Sequence, residues 1–220
     1  MQTPDNGPAP ETVVLVHGIW MSSLELVLLA RRLRRCGYRT LRFHYRSLRR
    51  TVRQNAAHLA RRVQQLPAGQ IHLVGHSLGG LVVLQALQDH PDLVTGGVVL
   101  LGSPVGGSAV ARRIHGRRFM RWLIGRSGEH GLLGGGPRWR GWQSLGVIAG
   151  RRSLGIGRLM GGLNGVNDGV VNLDETRIEG VQGGIVVNAT HMGLLTSRQV
   201  AMQVCAFLRH GRFDADRPAG

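Results

Sequence analysis

The sequence predicts an α/β fold, doubly wound around a mostly parallel sheet of about six strands, with a short cap insertion. Short β-branched or apolar runs alternate along the chain with helix-length segments, and strands joined by helical crossovers pair in parallel with helices on both faces. The length of 220 residues and the hydrophobic fraction of 42% suit one domain with a sizeable core.

The first half of the chain supplies three predicted strands and three predicted helices in alternation. The strands are Thr12–Val16, Tyr38–Tyr45 and a run that begins at Ile71. Each predicted helix stops beside a glycine or proline, because these residues disfavour a further helical turn. The helices run from Ser22 or Ser23 to Cys36, from Thr51 to Leu66, and from Gly80 to Asp89.

The second half continues the alternation after one interruption. The predicted strands are Gly97–Leu101, Leu145–Ala149 and Gly184–Ala189, and a last helix runs from about Thr196 to His210. The segment 105–144 is rich in Gly and Arg, and we interpret it as a cap inserted in a single domain of residues 11–213. The ends, 1–10 and 214–220, are predicted to be flexible.

The charge of the chain is strongly positive, at a formal +16, and all 28 basic residues are arginine. Twelve of them lie between Glu25 and Asp89, a span without any Asp or Glu. Two interpretations stay open: an arginine-biased composition on solvated helix faces, or peripheral contact with an anionic membrane. The sequence shows no zinc finger, RNA-recognition motif or basic zipper, so no nucleic-acid partner is expected.

The cysteines and the apolar segments bear on the compartment of the protein. Cys36 and Cys205 are the only cysteines and form no C-x-x-C motif, so we expect neither a disulfide framework nor structural zinc. The sequence lacks an apolar stretch long enough for a membrane span, and residues 1–10 lack a signal-peptide profile. These features favour a cytoplasmic protein that can also associate peripherally with a membrane.

The pentapeptide Gly75-His76-Ser77-Leu78-Gly79 lies between a predicted strand and a predicted helix. A serine on such a sharp strand-to-helix turn presents its hydroxyl at the top of the sheet, beside a helix N-terminus that favours a developing anion. The sequence therefore predicts Ser77 as a catalytic nucleophile. The alternative is a glycine-bracketed turn without chemistry.

A serine nucleophile on this turn needs an acid and a histidine later in the chain. His191 is the downstream histidine that follows a strongly apolar strand, at the end where open α/β sheets bind ligands. Asp168 stands in the tight-turn sequence Asn167-Asp168-Gly169 and is the predicted acid. If Asp168 only shapes its own turn, Asp174 or Glu175 takes the role, although both are expected to face solvent.

Two backbone N–H groups are expected to form an oxyanion hole beside the nucleophile. One belongs to Leu78, which follows Ser77, and the other to Ile19, in the loop after the first strand. Gly18 allows that loop to approach closely, and His17 braces it. No cofactor is expected, and no metal either, because His72 and His76 point in different directions on a strand and a turn.

Four tryptophans fall in segments expected at the top of the sheet. Trp122, Trp139 and Trp142 lie in the cap, and Trp20 adjoins the predicted oxyanion loop. They are consistent with substrate binding in an acyl pocket under a small lid. The alternative is a minor hydrophobic cluster that fixes the insertion.

Five motifs occur in an order typical of one superfamily. They are H-G-x-W at 17–20, G-H-S-L-G-G at 75–80, L-G-S-P-x-x-G-S at 101–108, N-D-G-V-V at 167–171 and T-H-x-G-L-L at 190–195. With these motifs the chain resembles the α/β-hydrolase superfamily, in its small bacterial lipase and esterase branch.

The resemblance implies a serine hydrolase that cleaves carboxylic esters, such as acyl or lipid esters, through an acyl-enzyme intermediate. The implied triad is Ser77, His191 and Asp168. A thioesterase or an amidase on the same triad stays open as an alternative, and so does a non-catalytic lipid-binding protein of this fold. The expected partner is a small-molecule or lipid ester substrate.

Overall fold

The computed structural model describes residues 11–94, 96–128, 131–155, 157, 161–179, 181 and 183–214. Within these residues, six strands form one parallel sheet in the order β2-β1-β3-β4-β5-β6. The strands are β1 (Thr12–Val16), β2 (Arg39–Phe43), β3 (Ile71–His76), β4 (Val98–Leu101), β5 (Leu145–Gly150) and β6 (Gly184–Val187). The predicted α/β fold with a parallel sheet of about six strands is confirmed.

Helices connect the strands and cover both faces of the sheet. They are α1 (Val27–Arg35), α2 (Val52–Gln64), α3 (Leu78–Asp89), α4 (Ala109–Gly116), α5 (Gly193–Thr196) and α6 (Arg198–His210). Alternate residues of β1 point to opposite faces, as a strand requires. Val14 and Val16 join the core under α2, α3 and α4, whereas Val13 and Leu15 join the core under α1, α5 and α6.

The parallel register places the carboxyl ends of the central strands side by side. Val16 at the end of β1 is paired with Gly75 of β3, and Gly75 is paired with Leu100 of β4. The loops that follow these strands therefore meet at one edge of the sheet, which we call the carboxyl edge. Ligands of open α/β sheets bind at such an edge.

The N-terminal residues of α1 and α2 show which of the predicted helix caps are correct. α2 begins at a capping box, in which the Thr51 hydroxyl accepts from the Gln54 N–H while the Gln54 side chain accepts from the Thr51 N–H. The predicted serine cap of α1 is wrong. The Ser22 N–H and hydroxyl both donate to the Glu25 carboxylate, so they form a turn ahead of the helix, which begins at Val27.

The cap follows β4 and consists of α4 and two short 3₁₀ turns, Arg118–Leu123 and Gly125–Gly128. Its later part is irregular and leads to the start of β5. Of the flexible ends predicted from the sequence, only Asp214 lies within the described residues, and its backbone exchanges two hydrogen bonds with the Gln203 side chain. None of the helices in the described part of the chain is both long and apolar enough to cross a membrane.

A disulfide joins Cys36 and Cys205, so the expectation of no disulfide is wrong. Cys36 ends α1 and Cys205 lies in α6; these helices pack on the same face of the sheet, with a Cα–Cα distance of 6.4 Å that a disulfide can bridge. Sequence spacing gave no sign of this, because the two residues are 169 positions apart. Disulfides persist in oxidising compartments, so the cysteines no longer argue for a cytoplasmic location.

Removal of this disulfide is expected to destabilise the fold. A cross-link over 169 positions restricts the unfolded chain strongly, so the double variant Cys36→Ala, Cys205→Ala should lose about 2–4 kcal/mol of unfolding free energy. Denaturant titration of both proteins measures the difference. Reductant should produce a similar loss in the parent protein and none in the variant; an unchanged midpoint for the reduced parent would contradict the structural role.

Candidate active site

Ser77 occupies a strained turn between β3 and α3 at the carboxyl edge. Its backbone has φ 55° and ψ −125°, a left-handed conformation that non-glycine residues rarely adopt. Neighbouring backbone leaves no room for side chains beside it. A Cβ on Gly79 would lie 2.3 Å from the Val16 carbonyl oxygen, and one on Gly75 would lie 2.6 Å from the Gly80 Cα. The glycines therefore permit the close packing that holds Ser77 in this conformation.

Asp168 and His191 form a buried hydrogen-bonded pair at the same edge. His191 Nδ1 donates to Asp168 Oδ2 over 2.7 Å, and the His191 N–H donates to the Asp168 carbonyl oxygen over 2.8 Å. The other carboxylate oxygen, Oδ1, accepts from the N–H groups of Val170 at 3.0 Å and Val171 at 2.8 Å. The Asp168 carboxylate thus fixes the tautomer of His191 and leaves its Nε2 free to act as a base.

The Asp168–His191 pair lies against the strand ends that flank Ser77. A Cβ on Gly102, the residue after β4, would meet Asp168 Oδ2 at 3.0 Å and His191 Nδ1 at 3.2 Å. The Ser77 N–H donates to the carbonyl oxygen of Leu101. The side-chain hydrogen bonds of the described residues include none between Ser77 and His191. Hydrogen bonds between a nucleophile and its base are often long in enzymes without substrate and tighten when it binds.

The loop after β1 passes directly beside the nucleophile turn. A Cβ on Gly18 would lie 3.1 Å from the Cβ of Ser77. His17 holds the loop: its Nδ1 donates to the Gly18 carbonyl oxygen over 2.8 Å, and its ring stacks on Tyr45 with centroids 4.3 Å apart. The Tyr45 hydroxyl donates to the His17 carbonyl oxygen over 2.7 Å. Burial lowers the pKa of His17, which favours the neutral ring.

Two backbone donors next to Ser77 have no partner. The N–H groups of Ile19 and Leu78 make no hydrogen bond to another described residue. Ile19 follows the loop glycine, and Leu78 is the first residue of α3, where an N–H has no partner within the helix. Free N–H groups in these two places are what an oxyanion requires.

A narrow apolar cavity of about 40 Å³ opens beside Ser77. The loop after β1, the cap and the Asp168 loop each supply part of its wall. Its apolar lining includes Ile19, Trp20, Val110, Ile114, Ile124 and Val171. The cavity can accept an apolar group of a ligand next to the Ser77 hydroxyl.

Sequence comparison decides the family. The sequence matches the alpha/beta hydrolase family over residues 13–201. The chain belongs to the α/β-hydrolase family. By sequence it matches none of the curated proteins.

Solved structures show the same fold. The mature form of a Bacillus licheniformis lipase aligns with a TM-score of 0.70 at 18% identity, over 96% of each chain. A metagenomic carboxyl esterase aligns with a TM-score of 0.59 at 23% identity, over 86% of this chain and 69% of the esterase. A phospholipase of Legionella pneumophila aligns with a TM-score of 0.67 at 15% identity, over 92% of this chain and 59% of the phospholipase.

The four tryptophans do not converge on one pocket. Trp20 lines the apolar cavity, and its indole N–H donates to the Leu123 carbonyl oxygen in the cap over 2.6 Å. Trp122 lies nearby on the first 3₁₀ turn, but 71% of its surface is exposed. Trp20 therefore adjoins the cavity beside Ser77, and the substrate-binding roles of the four tryptophans stay a prediction.

Trp139 and Trp142 lie away from the carboxyl edge. Trp139 lines a groove with Gln88 and Pro91 at the far end of α3, a helix about 18 Å long. Trp142 is 62% exposed, three residues before β5. The reason is topological: β5 is parallel to β4, so the chain must leave the cap and return to the opposite edge before the strand begins.

Glu175 is buried, contrary to the expectation that it faces solvent. Its carboxylate accepts from the N–H of Ala109, the first residue of α4, over 2.6 Å, and from the N–H of Asn172 over 3.0 Å. It therefore links the Asp168 loop to the cap. Asp174 is exposed as expected and forms an ion pair with Arg177. Neither carboxylate contacts His191.

His76 is a buried neighbour of the candidate catalytic residues that sequence reasoning assigned no role. Its Nε2 donates to the His191 carbonyl oxygen over 3.1 Å, and the two rings lie 4.6 Å apart. Its Nδ1 has no hydrogen-bond partner among the described residues. Burial, and then the proximity of His191, place the pKa of His76 well below its ordinary value. The His76 ring is thus neutral, and its hydrogen bond holds the His191 backbone in place.

The buried neutral histidines predict a loss of stability in mild acid. Because folding lowers the pKa of His17 and His76 below the ordinary value of 6.5, the unfolded chain binds more protons once the pH falls below that value. Stability is therefore retained above pH 6.5 and should decrease below it, by about 1.4 kcal/mol per pH unit for each histidine that stays neutral.

Denaturant titrations between pH 7.5 and 5.5 measure this dependence, since ordinary carboxylates titrate at lower pH. His76→Gln should have a shallower pH dependence than the parent protein, whatever its absolute stability. His90→Gln removes an exposed histidine at the end of α3 and should keep the parent slope. Equal slopes for all three proteins would show that His76 takes up a proton in the folded state.

Proposed function

We propose that this protein is a serine hydrolase that cleaves carboxylic esters with an apolar acyl group. The observation that carries the proposal is the buried 2.7 Å contact between Asp168 and His191 at the carboxyl edge, beside a serine held at φ 55°. Two free N–H groups and an apolar cavity adjoin the same serine. An acyl transfer to serine uses each of these four features.

The first half of the reaction forms an acyl-enzyme. As Ser77 Oγ attacks the ester carbonyl carbon, His191 Nε2 takes the hydroxyl proton, and the Asp168 carboxylate stabilises the resulting imidazolium. The carbonyl oxygen becomes an oxyanion that accepts from the Ile19 and Leu78 N–H groups. When the carbon–oxygen ester bond breaks, the imidazolium returns its proton to the departing alcohol.

The second half releases the acid. His191 takes a proton from water, which attacks the acyl carbon and forms a second oxyanion at the same two N–H groups. Collapse breaks the bond to Ser77 Oγ, and His191 returns the proton to the serine. The acyl group stays in the apolar cavity through both steps, and Ile114 and Ile124 of the cap contact it there.

Labelling with a fluorophosphonate tests the nucleophile. The probe should react with Ser77, because the adduct resembles the tetrahedral intermediate that the two N–H groups stabilise. Ser77→Ala should abolish labelling and lower turnover of a short-chain ester by several orders of magnitude. Intact mass spectrometry detects the adduct, and melting temperature confirms the fold.

Ser103→Ala is the matched control, since it removes another buried hydroxyl at the carboxyl edge. It should label at close to the parent rate. Labelling that survives Ser77→Ala would refute the proposed nucleophile, and a parent protein that neither labels nor hydrolyses esters would favour a non-catalytic lipid-binding role.

Asp168→Asn tests the acid. The amide can no longer stabilise the imidazolium or fix the required tautomer, so kcat should fall roughly 10²–10⁴-fold in a variant that remains folded. Asp174→Asn serves as the control, because among the described residues its exposed carboxylate contacts only Arg177. Steady-state kinetics on one short-chain ester at fixed pH measure both. A large loss of kcat in Asp174→Asn, together with a kcat close to that of the parent in Asp168→Asn, would reverse the assignment.

A further inference from the structure

Four arginines surround a surface cavity on the side of the molecule where the cap meets α2. The cavity has a volume of about 460 Å³. Arg49 and Arg50 precede α2, Arg61 lies within it, and Arg126 comes from the second 3₁₀ turn of the cap. We call this site the arginine cavity.

The charges of the arginine cavity have no neutralising partner among the residues that the structure describes. None of its four guanidinium groups forms a hydrogen bond or an ion pair with another residue in the described part of the chain. Other arginines of the same surface do have partners: Arg53 pairs with Asp89, and Arg42 donates to the Ser23 carbonyl oxygen. Four unpaired cations around one concavity repel each other, and a bound anion removes that repulsion.

The electrostatic effect of these charges reaches a neighbouring histidine. The pKa of His58 in α2 is lowered, first by burial and then by the positive charges of Arg50 and Arg61. A cation is therefore disfavoured at this place. The contribution of the two arginines, unlike that of burial, favours an anion here.

Backbone contacts build the cavity from two distant segments. The Arg126 N–H donates to the Leu48 carbonyl oxygen over 3.0 Å, and the Ser127 hydroxyl donates to the carbonyl oxygens of Ser47 and Arg50. Ser127 is fully buried in this contact. The position of Arg126 opposite Arg49, Arg50 and Arg61 is thus fixed by the fold.

We propose that the arginine cavity binds a phosphate group. Planar guanidinium groups match phosphate oxygens in geometry and can donate two hydrogen bonds each, so several of them around one concavity select phosphate over a monovalent anion. The phosphate is either a free phosphate ion or the headgroup of an anionic phospholipid. This site does not depend on the proposed ester hydrolysis.

Occupation of the arginine cavity also bears on the candidate active site. Ile124 lines the apolar cavity beside Ser77, and Arg126 lies only two residues later. A phosphate held by Arg126 together with Arg49, Arg50 and Arg61 connects this part of the cap to α2 and the loop before it. The ligand thereby stabilises the wall of the apolar cavity.

Calorimetric titration with inorganic phosphate at constant ionic strength, balanced with chloride, tests the site in the full-length protein. R126Q and R61Q should each weaken phosphate binding roughly tenfold, since each removes charge-assisted hydrogen bonds. R118Q is the matched control: it removes one exposed cap arginine outside the cavity and should bind like the parent. No measurable binding by the parent, or equal affinity in all four proteins, would overturn the proposal.

Vesicle sedimentation at physiological salt distinguishes the two sources of phosphate. If the ligand is a lipid headgroup, phosphatidylglycerol vesicles should sediment the parent and R118Q but not R126Q, and inorganic phosphate should compete. If the ligand is free phosphate, R126Q should still bind phosphate more weakly than the parent in calorimetry, but the two proteins should sediment equally with the vesicles. Loss of sedimentation in R118Q and R126Q alike, with equal phosphate affinity, would show a bulk charge effect and refute the site.

Discussion

The close packing of three loops at the carboxyl edge is the constraint on which the rest of the structure depends. Parallel pairing of β1, β3 and β4 brings the loops together, but glycines set how near they come. A Cβ on Gly80 would lie 2.1 Å from the Ser103 hydroxyl oxygen, and one on Gly79 would lie 2.5 Å from the His17 carbonyl oxygen. Ser77 is therefore placed by close contacts of the glycine backbone with neighbouring atoms, which tolerate little movement.

The local part of this arrangement is readable from the sequence. β1 has the bounds that its β-branched run predicts, and Thr51 caps α2 through neighbours three residues away. Position after a strand also singles out Ser77 and His191 as candidates, since the ends of parallel strands share one edge, and a tight-turn sequence singles out Asp168. The structure places these residues at that edge, and their catalytic roles remain a prediction.

The remaining features depend on contacts between distant parts of the chain. The Glu175 carboxylate stands in a polar stretch that looks solvated, but its partner Ala109 is 66 positions earlier. The two cysteines meet only because α1 and α6 pack on the same face of the sheet. Trp139 lies in Gly- and Arg-rich sequence without periodicity, so no local pattern shows that the chain has already turned toward the opposite edge.

Three contacts tie the cap to three different loops of the sheet domain. Trp20 donates to the Leu123 carbonyl oxygen, the Arg126 N–H donates to the Leu48 carbonyl oxygen, and Glu175 accepts from Ala109. The residues between these contacts form much of the wall of the apolar cavity. Because Glu175 follows closely after Asp168, a shift of α4 also pulls on the loop that carries the candidate acid. Access to the cavity and the geometry of the acid are therefore mechanically linked through one buried carboxylate.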